Sequence, residues 1–137
     1  MQEIIIHTDG ASRGNPGNAA IAYVIEGLAN HDIEFGEKIG ITTNNQAEYQ
    51  ALVAALSAVN EHLLSDYNIK CFADSELMVK QLNGQYKVKD MLLKPHFDAI
   101  IDLKNKLVAK GNTVTFTAVR RSDNARADKL GNIALDS

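Results

Sequence analysis

The sequence has little of the residues that mark several classes of protein. Its 137 residues include one cysteine, two prolines and nine glycines. A single cysteine excludes an internal disulfide, and so little proline and glycine excludes a linker-rich or collagen-like chain. Cys71 lies in an apolar run, and we interpret it as a small buried hydrophobic residue. With 45% hydrophobic and 23% charged residues, the composition is that of an ordinary globular domain.

An excess of positive charge and long apolar runs are also absent. The net charge is −3, so the chain lacks the basic footprint that nucleic-acid-binding proteins usually carry. No apolar stretch is long enough to span a bilayer, and no basic segment followed by an apolar one opens the chain. We therefore expect a cytoplasmic protein without a membrane partner. For a chain of this size we expect a monomer with no obligatory protein partner.

The apolar pattern predicts an α/β domain. Strands are expected at residues 3–9, 18–27, 31–41, 69–73 and 112–119, and helices at 44–64, from the cap Ser75 to 82, at 90–110, and from Ser122 or Asp123 to 134. The helix at 90–110 is expected to be interrupted near Pro95, and the first strand to end at the turn Asp9-Gly10 before a glycine-rich loop. This order predicts one domain, residues 1–137, with hairpin strands first and parallel strands later.

Four carboxylates interrupt the apolar pattern. Asp9 and Asp74 follow predicted strands, at the edge where open α/β sheets bind ligands. Glu48 continues the apolar stripe of the first helix, so it is expected to face the sheet. An ionised carboxylate there is costly unless it is paired or bound to a metal. Asp128 lies in the last predicted helix, four residues after Asn124.

Each of these acids also has an ordinary structural interpretation. Asp9 fits a turn, Asp74 and Glu48 fit charges near helix N-termini, and Asp128 fits a solvated side chain. Taken together, four carboxylates without obvious arginine partners would repel one another at pH 7. Divalent cations would remove this repulsion, and oxygen ligands without histidine or cysteine favour Mg²⁺ or Mn²⁺ over zinc.

Four sequence segments together carry a family resemblance. They are residues 8–17 (TDGASRGNPG), 42–48 (TTNNQAE), 73–75 (ADS) and 119–128 (VRRSDNARAD). In this order the segments resemble type 1 ribonuclease H, in the short archaeal-like branch without a basic handle. The resemblance implies a ribonuclease H-like α/β fold, in which helices flank both faces of a five-stranded mixed sheet.

The resemblance also implies a reaction. The family hydrolyses the RNA strand of an RNA/DNA hybrid duplex as an endonuclease, leaving 3′-hydroxyl and 5′-phosphate ends. Two Mg²⁺ or Mn²⁺ ions per site, with substrate bound, suit this chemistry because they stabilise both the attacking and the leaving oxygen. By motif position, the catalytic and metal-binding acids are Asp9, Glu48, Asp74 and Asp128, with Asp9 as the bridging ligand.

A second set of polar residues is implied as substrate contacts. They are Asn15, Thr43, Asn44, Gln46, Ser75, Arg121 and Asn124. Small polar groups are needed to recognise a 2′-hydroxyl, and hydroxyl side chains can bind the DNA-strand phosphates. Alternatives stay open: turn chemistry for the two loop asparagines, a helix cap for Ser75 and a solvated side chain for Arg121.

The chain departs from familiar members of this family in two places. Arg121 stands seven residues before Asp128, where many bacterial relatives carry a histidine in the preceding loop. Arginine can hold a phosphate but cannot shuttle a proton at neutral pH. Residues 84–90, with Lys80 and Lys94, replace the basic helix and loop of longer members. This small basic cluster predicts weak, salt-sensitive binding of the hybrid.

Other functions fit the sequence less well than the nuclease. A binding module of the same fold that has lost activity is disfavoured by the four retained acids. An ATP-binding or sugar-kinase domain also places Asp-Gly after its first strand, but such proteins duplicate the fold and are much longer. A nicotinamide-binding domain is disfavoured because no Gly-x-Gly-x-x-Gly follows the first strand, and a Walker A sequence is absent too.

Overall fold

The structure, a computed structural model, describes all residues from Met1 to Ser137. The strands are β1 (Gln2–Gly14), β2 (Gly17–Glu26), β3 (Ile33–Thr42), β4 (Tyr67–Ala73) and β5 (Thr113–Ala118). The helices are α1 (Asn44–Asn60), α2 (Glu76–Leu82), α3 (Lys94–Ala109) and α4 (Ala125–Asp136), with a 3₁₀ turn at Arg121–Asn124. The five strands form one sheet in the order β3-β2-β1-β4-β5. The first three strands pair antiparallel, whereas β4 and β5 run parallel to β1, so the predicted mixed sheet is confirmed.

The central strand β1 sends alternate side chains to opposite faces of the sheet. On one face, the buried residues Ile4 and Ile6 join the main core, to which α1 contributes Leu52 and Leu56. On the other face, Gly131 of α4 lies against Ala22 of β2. Helices therefore cover both faces of the sheet, as predicted.

The first strand continues beyond its predicted end. The turn expected at Asp9-Gly10 is wrong, because β1 stays paired with β2 as far as Gly14, which faces Gly17. The glycine-rich segment thus forms a β-hairpin, and Gly14 adopts a φ of 99° at its turn. Pro16 lies in the connection, where its missing N–H interrupts no hydrogen bond between strands. Asp9 is therefore inside a strand rather than at its end.

Three predicted helix boundaries also move. α1 ends at Asn60 rather than near residue 64. α3 begins one residue before Pro95, in the first helical turn, where a proline needs no N–H partner and so starts the helix instead of interrupting it. The last helix begins at Ala125 without a side-chain cap, because the expected caps Ser122 and Asp123 lie inside the 3₁₀ turn.

The single cysteine lies within the core, as predicted. Cys71 on β4 is 4% exposed, and burial raises the pKa of its thiol to about 12. A thiol with so high a pKa is almost entirely protonated at neutral pH and therefore unreactive. None of the four helices combines the length and the apolar character needed to cross a membrane.

Candidate active site

A close backbone approach brings α1 onto the central strand. A Cβ atom at Gly10 would lie 2.1 Å from the carbonyl carbon of Ala47 and 2.3 Å from the backbone nitrogen of Glu48. Only a residue without a side chain fits at this position. The Gly10 N–H donates to Oε1 of Glu48 at 2.6 Å, which holds this carboxylate at the sheet surface.

The start of α1 is fixed by a reciprocal pair of cap bonds. Oγ1 of Thr43 accepts from the backbone N–H of Gln46 at 3.2 Å, and Oε1 of Gln46 accepts from the backbone N–H of Thr43 at 3.3 Å. Such a capping box sets the first residue of a helix. It thereby sets which residue of α1 faces the sheet at the level of Gly10, and that residue is Glu48.

Three carboxylates converge beside Gly10. Asp9 of β1, Glu48 of α1 and Asp74, which follows β4, each offer an oxygen within 4.8 Å of the others. Parallel pairing of β1 with β4 sets Thr8 opposite Ala73, so the two aspartates that follow lie at the same edge. Asp128 of α4 lines the same small cavity as these three acids, and its negative charge contributes to the raised pKa of Asp9. The four acids predicted from the sequence are thus brought together.

Burial and mutual repulsion make two of these acids hard to ionise. Burial raises the pKa of Asp9 to about 8, with further contributions from the negative charges of Asp74 and Asp128. Burial likewise raises the pKa of Glu48, and the charge of Asp9 adds to that effect. Asp9 and Glu48 are only 5% and 4% exposed.

Asp9, Glu48 and Asp74 make no ion pair with a lysine, arginine or histidine. Two buried carboxylates and a third beside them, all without a cationic partner, form an oxygen donor set that fits a hard divalent cation. Asp128 differs from these three because Nη2 of Arg121 donates to its Oδ1 at 3.2 Å.

Two asparagines join the β1–β2 hairpin to the start of α1. Oδ1 of Asn15 accepts from the backbone N–H of Asn44 at 3.1 Å, and Oδ1 of Asn44 accepts from the backbone N–H of Ser12 at 3.4 Å. Both asparagines are exposed. Asn44 also lines the small cavity, about 120 Å³, that contains the four acids. These bonds join distant segments and are not the local turn bonds of the alternative interpretation, and both side chains remain open to solvent.

A larger cleft of about 580 Å³ opens beside the acids. It is lined by Asn44, Glu48, Asp74, Ser75, Glu76, Ala118, Val119, Arg120 and Arg121. Ser75 caps α2, as predicted, because its Oγ accepts from the backbone N–H of Met78 at 3.3 Å. The sequence pattern does not indicate Glu76 and Arg120 as residues of the cleft, since neither interrupts an apolar run.

Asn124 occupies a different position from the other polar residues of the set. It is 1% exposed, and its Nδ2 donates to the backbone carbonyl of Thr8 at 2.8 Å. The side chain thus ties the start of α4 to the residue before Asp9. Its implied contact with substrate stays a prediction, whereas its contact with β1 is direct.

Comparison with known proteins places the chain in a family. Residues 1–135 match the family described as RNase H. The chain belongs to the RNase H family. Ribonuclease HI of Halobacterium salinarum is 42% identical over 135 residues, a match that covers 93% of this chain and 62% of that protein. The bifunctional protein Rv2228c of Mycobacterium tuberculosis is 35% identical over 139 residues, which cover 98% of this chain and 36% of that protein. The chain therefore spans less than two thirds of these curated relatives.

Solved RNase H structures superpose closely on this one. LC11-RNase H1 in complex with an RNA/DNA hybrid gives a TM-score of 0.88 at 43% identity, with 97% of this chain and 96% of that chain covered. RNase H1 of the halophilic archaeon Halobacterium salinarum gives a TM-score of 0.85 at 39% identity, with 98% of each chain covered. The resemblance to archaeal-like type 1 RNase H and the predicted fold are both confirmed.

Proposed function

We propose that this member of the RNase H family is an endonuclease that hydrolyses the RNA strand of RNA/DNA hybrids, leaving 3′-hydroxyl and 5′-phosphate ends. The observation that carries the proposal is the convergence of Asp9, Glu48 and Asp74, with Asp128 lining the same cavity. The similar protein LC11-RNase H1 was solved in complex with such a hybrid, which supports the substrate class. Residues 1–137 would form the single catalytic domain.

The four acids would hold two ions, Mg²⁺ or Mn²⁺, when the hybrid is bound. When present, these ions supply an activated water for in-line attack and neutralise the charge on the leaving 3′-oxygen. Asp9 offers an oxygen within 4.8 Å of those of Glu48 and Asp74 and lines the same cavity as Asp128, so it is the acid that two ions would share. Gly10 keeps the Glu48 carboxylate in position through its N–H.

Three side-chain amides would recognise the RNA strand. The amide oxygens of Asn15, Asn44 and Gln46 already accept hydrogen bonds from the hairpin and the helix cap. Their NH₂ groups are therefore the donors left for a 2′-hydroxyl or a base edge. Because the same loops hold these amides and the acids, recognition of ribose would be coupled to the position of the scissile bond.

Hydroxyl and guanidinium groups would bind phosphates. Thr43 and Ser75 cap α1 and α2, and we assign them to the phosphates of the DNA strand. Arg121 lines the larger cleft and would bind a phosphate there. Asn124 would hold Thr8, the neighbour of Asp9, in place through its hydrogen bond to the Thr8 carbonyl. Because Asn124 is buried, it offers little surface for direct contact with substrate.

The test is cleavage of a hybrid labelled on either strand, in Mg²⁺ and separately in Mn²⁺. We expect cutting of the RNA strand only, no cutting in EDTA, and none by Asp74→Asn. Products should be extended by a polymerase from their 3′-hydroxyl and digested by an exonuclease that requires a 5′-phosphate. If folded protein cut neither strand in either metal, the nuclease proposal would fail and a binding module of the same fold would replace it.

The basic cluster around the connection between α2 and α3 predicts how binding of the hybrid depends on salt concentration. Lys80 and Lys94 contact the rings of Tyr86 and Phe97, while Lys87 and Lys89 are exposed in the connection to α3. If all four lysines neutralise phosphates, they contribute about −4 to the slope of log affinity against log salt concentration. Replacing Lys87 and Lys89 by glutamine should then make the slope shallower by about 2.

Fluorescence anisotropy with a labelled hybrid in EDTA measures this slope without cleavage. The matched control is Lys106→Gln with Lys110→Gln, because both lysines are exposed at the end of α3 that leads into β5, opposite the carboxyl edge of the strands. This control changes the net charge equally but should leave the slope unaltered. Equal slopes for the two double variants would show that the connection does not contact the hybrid.

A further inference from the structure

Arg121 is the one basic side chain paired with an acid of the site. Its Nη2 lies 3.2 Å from Oδ1 of Asp128, and it lines both the small cavity of the acids and the larger cleft. The arginine side chain is 76% exposed and the Asp128 side chain is 25% exposed. The pair therefore sits at the mouth of the acid cluster, within reach of solvent ions.

The neighbouring arginine does not share this position. Arg120 pairs with Asp123, 3.4 Å away and outside the acid cluster, and its side chain is 86% exposed. Arg120 lines the larger cleft but not the small cavity. Of two consecutive arginines with equal charge, Arg121 alone thus contacts an acid of the site.

The acids are divided into two groups by this pairing. Asp9, Glu48 and Asp74 converge without a cationic partner, whereas an oxygen of Asp128 is already occupied by a guanidinium. A carboxylate oxygen that accepts from a guanidinium is less available to a cation, and the positive charge repels a cation nearby. A cation that binds Asp128 must therefore compete with Arg121 for Oδ1 or bind the other oxygen beside a positive charge.

We propose that Arg121 is an internal counter-ion that competes with a divalent cation for Asp128. The inference rests on the proposed function, because it concerns the second of the two ions. Arg121 would weaken binding of the ion shared by Asp9 and Asp128 and would affect the ion held by Asp9, Glu48 and Asp74 much less. Exposed ion pairs are weak, so the competition should amount to about 1.5- to fivefold in affinity.

Titration calorimetry of the whole chain without nucleic acid, with Mn²⁺ raised until the weaker position also fills, tests the proposal independently of cleavage. Arg121→Gln should tighten the weaker Mn²⁺ binding about 1.5- to fivefold. Arg120→Gln loses the same charge and should bind Mn²⁺ as the wild type does. In an Asp128→Asn background, Arg121→Gln should have no effect. Thermal melting in EDTA verifies that each variant is folded, and the rise in melting temperature on adding Mn²⁺ gives a second measure of affinity.

Two other results would each contradict the inference. Equal tightening by Arg121→Gln and Arg120→Gln would mean that only net charge matters. A tightening that persists with Asp128→Asn would mean that Asp128 is not the contested ligand. Failure of the proposed metal site itself looks different, because Mn²⁺ would then neither produce heat nor raise the melting temperature of the wild type.

Discussion

Asp9→Asn is expected to abolish cleavage of the hybrid while making the metal-free protein more stable. Asp9 is the acid that two ions would share, so its loss should lower the cleavage rate by about 10³-fold or more. The asparagine has nearly the same shape and can keep the neighbouring contacts. It removes, however, a buried charge that Asp74 and Asp128 repel. Activity and stability should therefore change in opposite directions.

The pH dependence of the stability follows from the direction of the pKa shift. The pKa of Asp9 is raised in the folded state from 3.8 to about 8, so the folded protein favours the protonated acid. The stability gained from keeping that proton is complete below pH 3.8 and is lost as the pH rises through about 8. The advantage of Asp9→Asn should thus grow as the pH rises over this range and be largest at its upper end.

Thermal melting in EDTA between pH 5 and 9, together with the cleavage assay, measures both effects. Asp102→Asn is the control, because this exposed acid on α3 pairs only with Lys106 and should change neither quantity appreciably. A melting temperature of Asp9→Asn at pH 9 equal to or below that of the wild type would contradict the expected repulsion.

Gly10→Ala is expected to destabilise the protein by at least about 3 kcal/mol. The added methyl carbon would lie 2.1 Å from the backbone of Ala47, so either β1 or α1 must move. Backbone cannot rotate away as a side chain can. Any such movement also breaks the bond from the Gly10 N–H to Glu48, so the protein that still folds should cut the hybrid more slowly.

Chemical denaturation measures the loss, and Gly131→Ala provides the control. Gly131 is also buried, but a Cβ there would meet only the Cβ of Ala22 at 3.9 Å, an ordinary contact. Because alanine favours a helix over glycine by about 1 kcal/mol, this variant should be as stable as the wild type or more so. Similar stabilities of the two variants would exclude the tight approach of α1 to β1.

The order of elements could be predicted because each has a distinct apolar period. The sequence predicted the helical stripe of α1 and the Ser75 cap correctly, since both depend on nearby residues. It did not predict that β1 continues to Gly14, because glycine and proline are typical of loops wherever they occur. Pairing with β2 determines where β1 ends. Such pairing depends on contacts between two segments, which the local sequence pattern does not show.

The site was predictable to a similar extent. Glu48 could be recognised as buried because a charge on an apolar stripe violates the local pattern. The burial of Asn124 and its bond to Thr8 could not, since asparagine before a helix is equally typical of an exposed cap. The contact between Gly10 and α1 likewise depends on how closely two distant segments approach.

The four acids come from positions 9, 48, 74 and 128 of a chain of 137 residues, and the last of them lies on α4. During synthesis the first three acids leave the ribosome long before α4 can pack against β2. A nascent chain therefore carries most of the cluster without Asp128 and without the helix that covers that face of the sheet. The complete set of acids therefore arises only when α4 docks on the sheet.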